Sequence, residues 1–231
     1  MRRLCALIFI CLMLPVMAYA HTNVRSEYIC PIDGTEFSAL LTGSDTSRGM
    51  MLDLQPISVS VGRYPWPVAE CPTDGMVMYK RDFTPEEVAT LKDYVSSPEY
   101  QSMRQEDTSY WRVARLKEKL GVPLNKRWFT MLQATWQAHS KKYEVYARET
   151  IGVIETLLAD PGDIEESDIE TMHLVLGELY RRVGEFDQAK AIFEDLMKQP
   201  VYANHEFYPN IIAYQLELIE AKDQSSHKVP F

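Results

Sequence analysis

Leu176-Gly177-Glu178-Leu179-Tyr180-Arg181-Arg182-Val183-Gly184-Glu185-Phe186-Asp187-Gln188-Ala189, continued by Phe193 and Pro200, is the stretch that decides the fold. Gly177 and Ala189 are small enough to let two helices approach closely, and Tyr180 and Phe193 are large enough to fill the space around such a contact. Gly184 between them supports a tight turn. Leu176, Phe186 and the terminal Pro200 complete a pattern in which each residue type has a mechanical role. The stretch predicts an antiparallel helical hairpin.

The order Leu-Gly, Tyr, Gly, aromatic, Ala, Phe, Pro closely follows the tetratricopeptide pattern. A helix over about 208–221 would be the lid that terminal repeats need over their open apolar face. Upstream, Trp128, Met131, Leu132, Thr135 and Trp136 share one helical face. A partner helix over about 143–158 carries Ala147, Ile151 and Ile154 on one side. These two form a second hairpin, set 42 residues before the first when Ala147 is aligned with Ala189, against a usual period of about 34. The loop at 161–167 absorbs the excess. The upstream hairpin lacks the Leu-Gly pair, so only one repeat is convincing. Helix starts are marked by Thr84-Pro85-Glu86-Glu87, by Ser97-Pro98-Glu99 and by a cap near Asp107, and Asn125 is placed to cap the helix that follows. Gly121 with Pro123 ends one helix, Asp160-Pro161-Gly162 another. The expected fold is mainly α, with tetratricopeptide-like hairpins over 83–222, a small β-rich, ribbon-like head over 21–82, and a flexible tail over 223–231.

The β-like text lies in residues 28–80, in pieces such as 57–61 and 76–79. Here one five-residue frame occurs twice: Cys30-Pro31-Ile32-Asp33-Gly34 and Cys71-Pro72-Thr73-Asp74-Gly75. In zinc ribbons the corresponding knuckle is Cys-Pro-x-Cys-Gly, a tight turn that puts two thiolates on one side. With the second cysteine of each frame replaced by aspartate, three states remain open. Cys30 and Cys71 could be joined directly as a disulfide, with Asp33 and Asp74 serving the turns. Cys30, Asp33, Cys71 and Asp74 could form a Cys2Asp2 zinc site, since carboxylate oxygen also binds zinc. The thiols could stay free. An oxidising compartment favours the disulfide, and the cofactor expectation is none, with zinc as the exception the knuckles admit.

The paired knuckles, the Tyr64-Pro65-Trp66-Pro67 run before the second of them and the helical text behind resemble an uncharacterised bacterial family. That family has a tandem Cys-Pro-x-Cys, zinc-ribbon-like head followed by tetratricopeptide-like helices. The resemblance implies an architecture and not a reaction, and the chain departs from the family pattern at Asp33 and Asp74.

Residues 1–20 read as a cleavable signal peptide: Arg2 and Arg3, an apolar run from Leu4 to Met17, then Ala18-Tyr19-Ala20. The apolar run is too short for a bilayer core of about 30 Å. Cleavage after Ala20 removes Cys5 and Cys11 and moves the formal charge from −9 to −11. The expectation is export, to a periplasm, of about 210 residues without a stable membrane anchor. An acidic chain without a basic cluster excludes nucleic acid as a partner. His21 would then offer its amine and imidazole as a copper chelate, with no partner histidine in the head. His139 and His173 are placed on helices as solvated or satisfied residues. His205-Glu206 begins like a metalloprotease motif, but Pro209 stands where the second histidine must be. No catalytic motif emerges, and the acidic run at 163–170 reads as a solvated helix start. The sequence therefore points to a non-enzymatic adaptor that binds a protein or peptide. A zinc-binding protein is the alternative, and a hydrolase with an unpatterned site the remoter one. Arg181 and Arg182 read as surface residues at a helix carboxyl end, with a partner's carboxylates as the other assignment.

Overall fold

A computed structural model describes residues 22–59 and 64–230. The expected signal peptide and His21 lie outside the described residues. The fold is mainly helical with small two-stranded antiparallel sheets near the amino end. The strands are β1 (Thr22–Ile29), β2 (Glu36–Ser44), β3 (Ser47–Met50), β4 (Pro56–Ser58), β5 (Ala69–Glu70) and β6 (Val77–Met78). The helices are α1 (Pro85–Val95), α2 (Pro98–Glu106), α3 (Ser109–Lys119), α4 (Trp128–Gln137), α5 (Ser140–Ala159), α6 (Glu166–Arg182), α7 (Phe186–Leu196), α8 (Pro200–Ala203) and α9 (Tyr208–Glu220).

The caps explain where the early helices start. At α1 the Glu87 N–H donates to Thr84 Oγ1 at 3.3 Å while the Thr84 N–H donates to Glu87 Oε2 at 2.8 Å, a reciprocal capping box. Ser97 caps α2. At α3 the cap is Thr108, one residue past Asp107. Asn125 is not a cap: it lies in a 3-10 turn, Leu124–Lys126, started by the extended Pro123, and α4 opens only at Trp128. His139 sits not on a helix but in the extended link between α4 and α5.

From α3 to α7 each helix packs on the next in sequence, and α9 closes on α8, α7 and α6. The central core joins Trp128, Leu132 and Trp136 of α4 to Ala147, Ile151 and Ile154 of α5 and to Met172, Val175, Leu176 and Leu179 of α6. In the α6–α7 hairpin the Phe193 ring lies directly on Gly177, where a built Cβ would fall 2.5–3.0 Å from three ring carbons. Ala189 is fully buried beside it and Gly184 takes the left-handed turn at φ +85°. Tyr180 is half-buried and donates to Glu155 of α5, Phe186 is half-buried against the α7–α9 core, and Pro200 opens α8. Gly177→Ala therefore forces the ring or the helices apart and is expected to cost about 1–3 kcal/mol, read as a lowered urea midpoint with an unchanged slope. The expected lid is α9, which covers Leu174, Ala189 and Phe193 with Ile212 and Ile219.

The head has no core separate from the first helices. Cys30, Cys71, Met76 and Val77 pack with Leu91 and Val95 of α1, Tyr100 of α2, and Val113 and Leu116 of α3. β1 and β2 form a long hairpin with Ile29 opposite Glu36 and Tyr28 opposite Phe37. That hairpin was not marked in the sequence.

The tail, expected to be flexible, is tied down. The Leu52 N–H donates to His227 O and the Val229 N–H to Met50 O, both at 2.9 Å, and Met51 pairs with Lys228. These backbone bonds join the tail to the head segment that follows β3. That segment, residues 51–55, crosses three helices. Trp136 Nε1 of α4 donates to Asp53 O at 3.1 Å, Arg182 of α6 lies 3.8 Å from the Asp53 carboxylate, and Leu52 packs on Leu218 of α9.

Candidate functional site

The two knuckles are built alike. In each, the cysteine N–H donates to the carbonyl five residues on, and the glycine N–H donates back to the cysteine carbonyl, at 2.8–2.9 Å. Each aspartate accepts the N–H two residues further on, Thr35 to Asp33 at 2.9 Å and Met76 to Asp74 at 2.8 Å, and each glycine holds φ near +78°. The aspartates thus do what a turn needs. The Thr35 N–H is the main cause holding the Asp33 carboxyl below its usual range, whereas burial pushes that of Asp74 up.

Cys30 and Cys71 meet at disulfide distance, with Cα atoms 5.7 Å apart and exposures of 1% and 0%. One oxygen of Asp74 is 3.1 Å from Cys30 Sγ, and donor atoms of Cys30, Asp33, Cys71 and Asp74 all lie within 4.8 Å of one another. That cluster has the donor types to hold a metal. Zinc needs both sulfurs as thiolates, so a bonded sulfur pair does not fit it.

The second knuckle is gripped by the helices. Arg104 donates to the carbonyls of Pro72 and Thr73 at 3.0 and 3.1 Å, Gln101 to that of Asp74 at 2.7 Å, and Tyr100 and Arg112 both to that of Gly75. Glu70 bridges Arg112 at 2.6 Å and Arg104 at 3.1 Å. No local motif announces this grip, because its donors come from two later helices.

A second polar group lies under the crossing segment. Arg181 is not on the surface, as the doublet at 181–182 suggested; its exposure is 0%. It makes a two-pronged bond to Glu178 at 2.8–3.0 Å, reaches Gln215 Oε1 at 3.0 Å, and donates to the carbonyls of Asp223 and Ser225. Gln215 donates to Glu178 at 2.9 Å. Burial pushes the Glu178 carboxyl up to about 7 against the pull of Arg181, and raises that of Asp53 against Arg182. The reason for the reversal is geometric: α9 and the tail close over the α6 carboxyl end, so a residue there faces inward.

Arg182 is different. Its side chain is 15% exposed, its closest carboxylate oxygens, on Asp53 and Glu178, are 3.8 Å away, and its Nε is buried with no hydrogen-bond partner among the described residues. Its guanidinium lies 4.4 Å over the Tyr143 ring, and the buried Tyr143 hydroxyl is also unpartnered. Both residues line a cleft of about 320 Å³ between the crossing segment and the α4–α5 link, with Asp53, Ile57, Trp136 and His139 among its other walls. The walls of this cleft mix polar and apolar side chains, the composition of a candidate binding site.

The remaining histidines are engaged. His173 meets the Tyr202 hydroxyl at 3.1 Å and burial lowers its pKa. His205 stacks on Tyr208 at 3.7 Å. His227 lies among Ser225, Asp223 and Tyr214, a grouping the sequence reading missed. Its Nε2 faces both Ser225 and Asp223 while Nδ1 faces Tyr214. A proton relay needs serine and aspartate on opposite ring nitrogens, so this cluster ties the tail and does not form one. Among the described residues no helix is long and apolar enough to cross a membrane.

Comparison with known protein families, with curated proteins and with solved structures gave no match to the chain.

Proposed function

We propose that the protein is an exported, non-enzymatic binding module that takes a protein or peptide segment. The observation that carries this reading is the cleft of about 320 Å³ beside residues 51–58, whose walls combine apolar Pro56, Ile57 and Trp136 with polar His139, Tyr143 and Arg182. The helical stack offers less open groove than the repeat pattern alone implies, because residues 51–55 already cross α4, α6 and α9. The partner site is therefore the cleft next to that crossing segment. Export is supported by the leader-like residues 1–20 and by the sulfur pair, which an oxidising compartment sustains. The zinc reading draws on the four clustered knuckle donors and applies to a reduced chain.

Site-specific photocrosslinking in the native host tests the module. A crosslinker at His139 or at Ile57, both on the cleft wall, is expected to give one common adduct of discrete mass. The same probe at Val145, exposed on α5 and not among the cleft residues, is expected to give none. Equal labelling at all three positions, or none at any, overturns the reading.

A further inference from the structure

The β1–β2 hairpin leaves an edge open. Among the described residues β1 pairs with β2 alone, and its register runs without a shift from Asn23 to Ile29. The direction of its backbone groups follows from the next residue, because the Cys30 N–H donates to Thr35 O at the foot of β2, at 2.8 Å. In an antiparallel pair, residues alternate between facing the partner strand and facing away. Ser26 and Tyr28 therefore bond to β2, while Arg25, Glu27 and Ile29 turn their N–H and C=O groups outward. The Glu27 carbonyl shows the same direction, since Arg81 Nη1, from beyond the hairpin, donates to it at 3.3 Å. Arg81 is exposed and can turn aside. An eight-residue strand edge without proline is a template for another strand.

The side chains of β1 select which strand. Arg25 and Glu27 share one face and are both exposed. Arg25 donates to Ser38 Oγ at 3.0 Å, and neither residue forms an ion pair among the described residues. Opposed to a second copy of itself about a two-fold axis at Ser26, β1 sets Arg25 against Glu27 of the other chain, twice by symmetry. The same register brings Val24, 48% exposed, against the Tyr28 ring in a pair whose side chains stand close. The neighbouring registers that keep outward groups opposed centre on Arg25 or on Glu27. Those registers set like charges together, which destabilises the pairing. Charge complementarity thus selects the Ser26 axis. We propose that β1 is a self-association surface: two copies of this chain pair antiparallel along their β1 edges, centred on Ser26, with Arg25 of each opposite Glu27 of the other.

The test follows the whole chain, purified as its host processes it, by sedimentation velocity over a range of concentrations. A reversible monomer–dimer equilibrium is expected. Arg25→Glu alone, or Glu27→Arg alone, sets like charges together at both crossings and is expected to weaken the dimer about tenfold or more. The variant carrying both changes exchanges the two charges and is expected to dimerise as the wild type does. An equimolar mixture of the two single variants is expected to form a heterodimer tighter than either homodimer, since opposite charges then meet at both crossings. Both positions are exposed, so the single variants are expected to keep the wild-type thermal midpoint. Amide hydrogen exchange gives a second readout. Rising concentration should protect the Arg25 and Glu27 amides and leave those of Ser26 and Tyr28, already bonded to β2, unchanged. The proposal is overturned if the chain stays monomeric at about 1 mM, if the single variants dimerise as tightly as the wild type, if their mixture gives no heterodimer, or if the Arg25 and Glu27 amides gain no protection. None of these residues lines the cleft, so the outcome is independent of the crosslinking there.

Discussion

Replacing Cys30 and Cys71 together by alanine is expected to lower stability by about 4 kcal/mol. The bridge spans 41 residues, and the chain-entropy relation gives that magnitude for a loop of this size. The loss should be unevenly placed. The second knuckle keeps its grip from Tyr100, Gln101, Arg104 and Arg112, whereas the first has its aspartate and glycine exposed and reaches the core through Cys30 and the partly buried Ile32 and Phe37, with no such grip from the helices. Hydrogen exchange should therefore speed up through β1 and β2 and change little at β5 and β6. Reductant added to the wild-type chain should reproduce the effect. A change under about 1 kcal/mol, or equal loosening of both knuckles, would show that the bridge is not what holds the hairpin.

Arg181→Met is the second large effect, an expected loss of about 3–5 kcal/mol, because it takes from the buried Glu178 carboxylate its hydrogen-bonded cation and leaves only Arg182 at 3.8 Å. It also frees the carbonyls of Asp223 and Ser225, so the Leu52 and Val229 amides should lose exchange protection in the same variant. Adding Glu178→Leu to Arg181→Met should restore part of the stability, since removing both charges costs less than removing one. The restored part should not include the tail's protection. A double variant no more stable than the single one would refute the stranded-charge account.

The α6–α7 hairpin was legible because its determinants are local: Gly177 under Phe193, Gly184 in the turn and Ala189 in the seam each demand one residue type. The knuckles were legible for the same reason, as a five-residue frame written twice. The β1–β2 hairpin was not. Val24 is 48% exposed and Leu40 61%, so the strands bury too little to show a clean alternation. Arg181 was misread because the groups that close over it, Gln215 and two tail carbonyls, are more than 30 residues away, and nothing in Arg181-Arg182 tells the buried cation from its partly exposed neighbour. The cleft escaped notice because it forms only where residues 51–58, the α4–α5 link and the α6 end converge. The tail's anchorage through backbone groups leaves no side-chain pattern to read.

The bonds between residues 50–52 and 227–229 give the helical stack a clasp. An open solenoid loses its outermost unit first, since that unit has only one neighbour. Here the last helix is fastened through the tail to a segment that precedes every helix among the described residues, and α9 cannot peel away unless that segment lets go. Terminal fraying is thus replaced by a single opening event in which head segment, tail and α9 leave together, one cooperative unit assembled from opposite ends of the sequence.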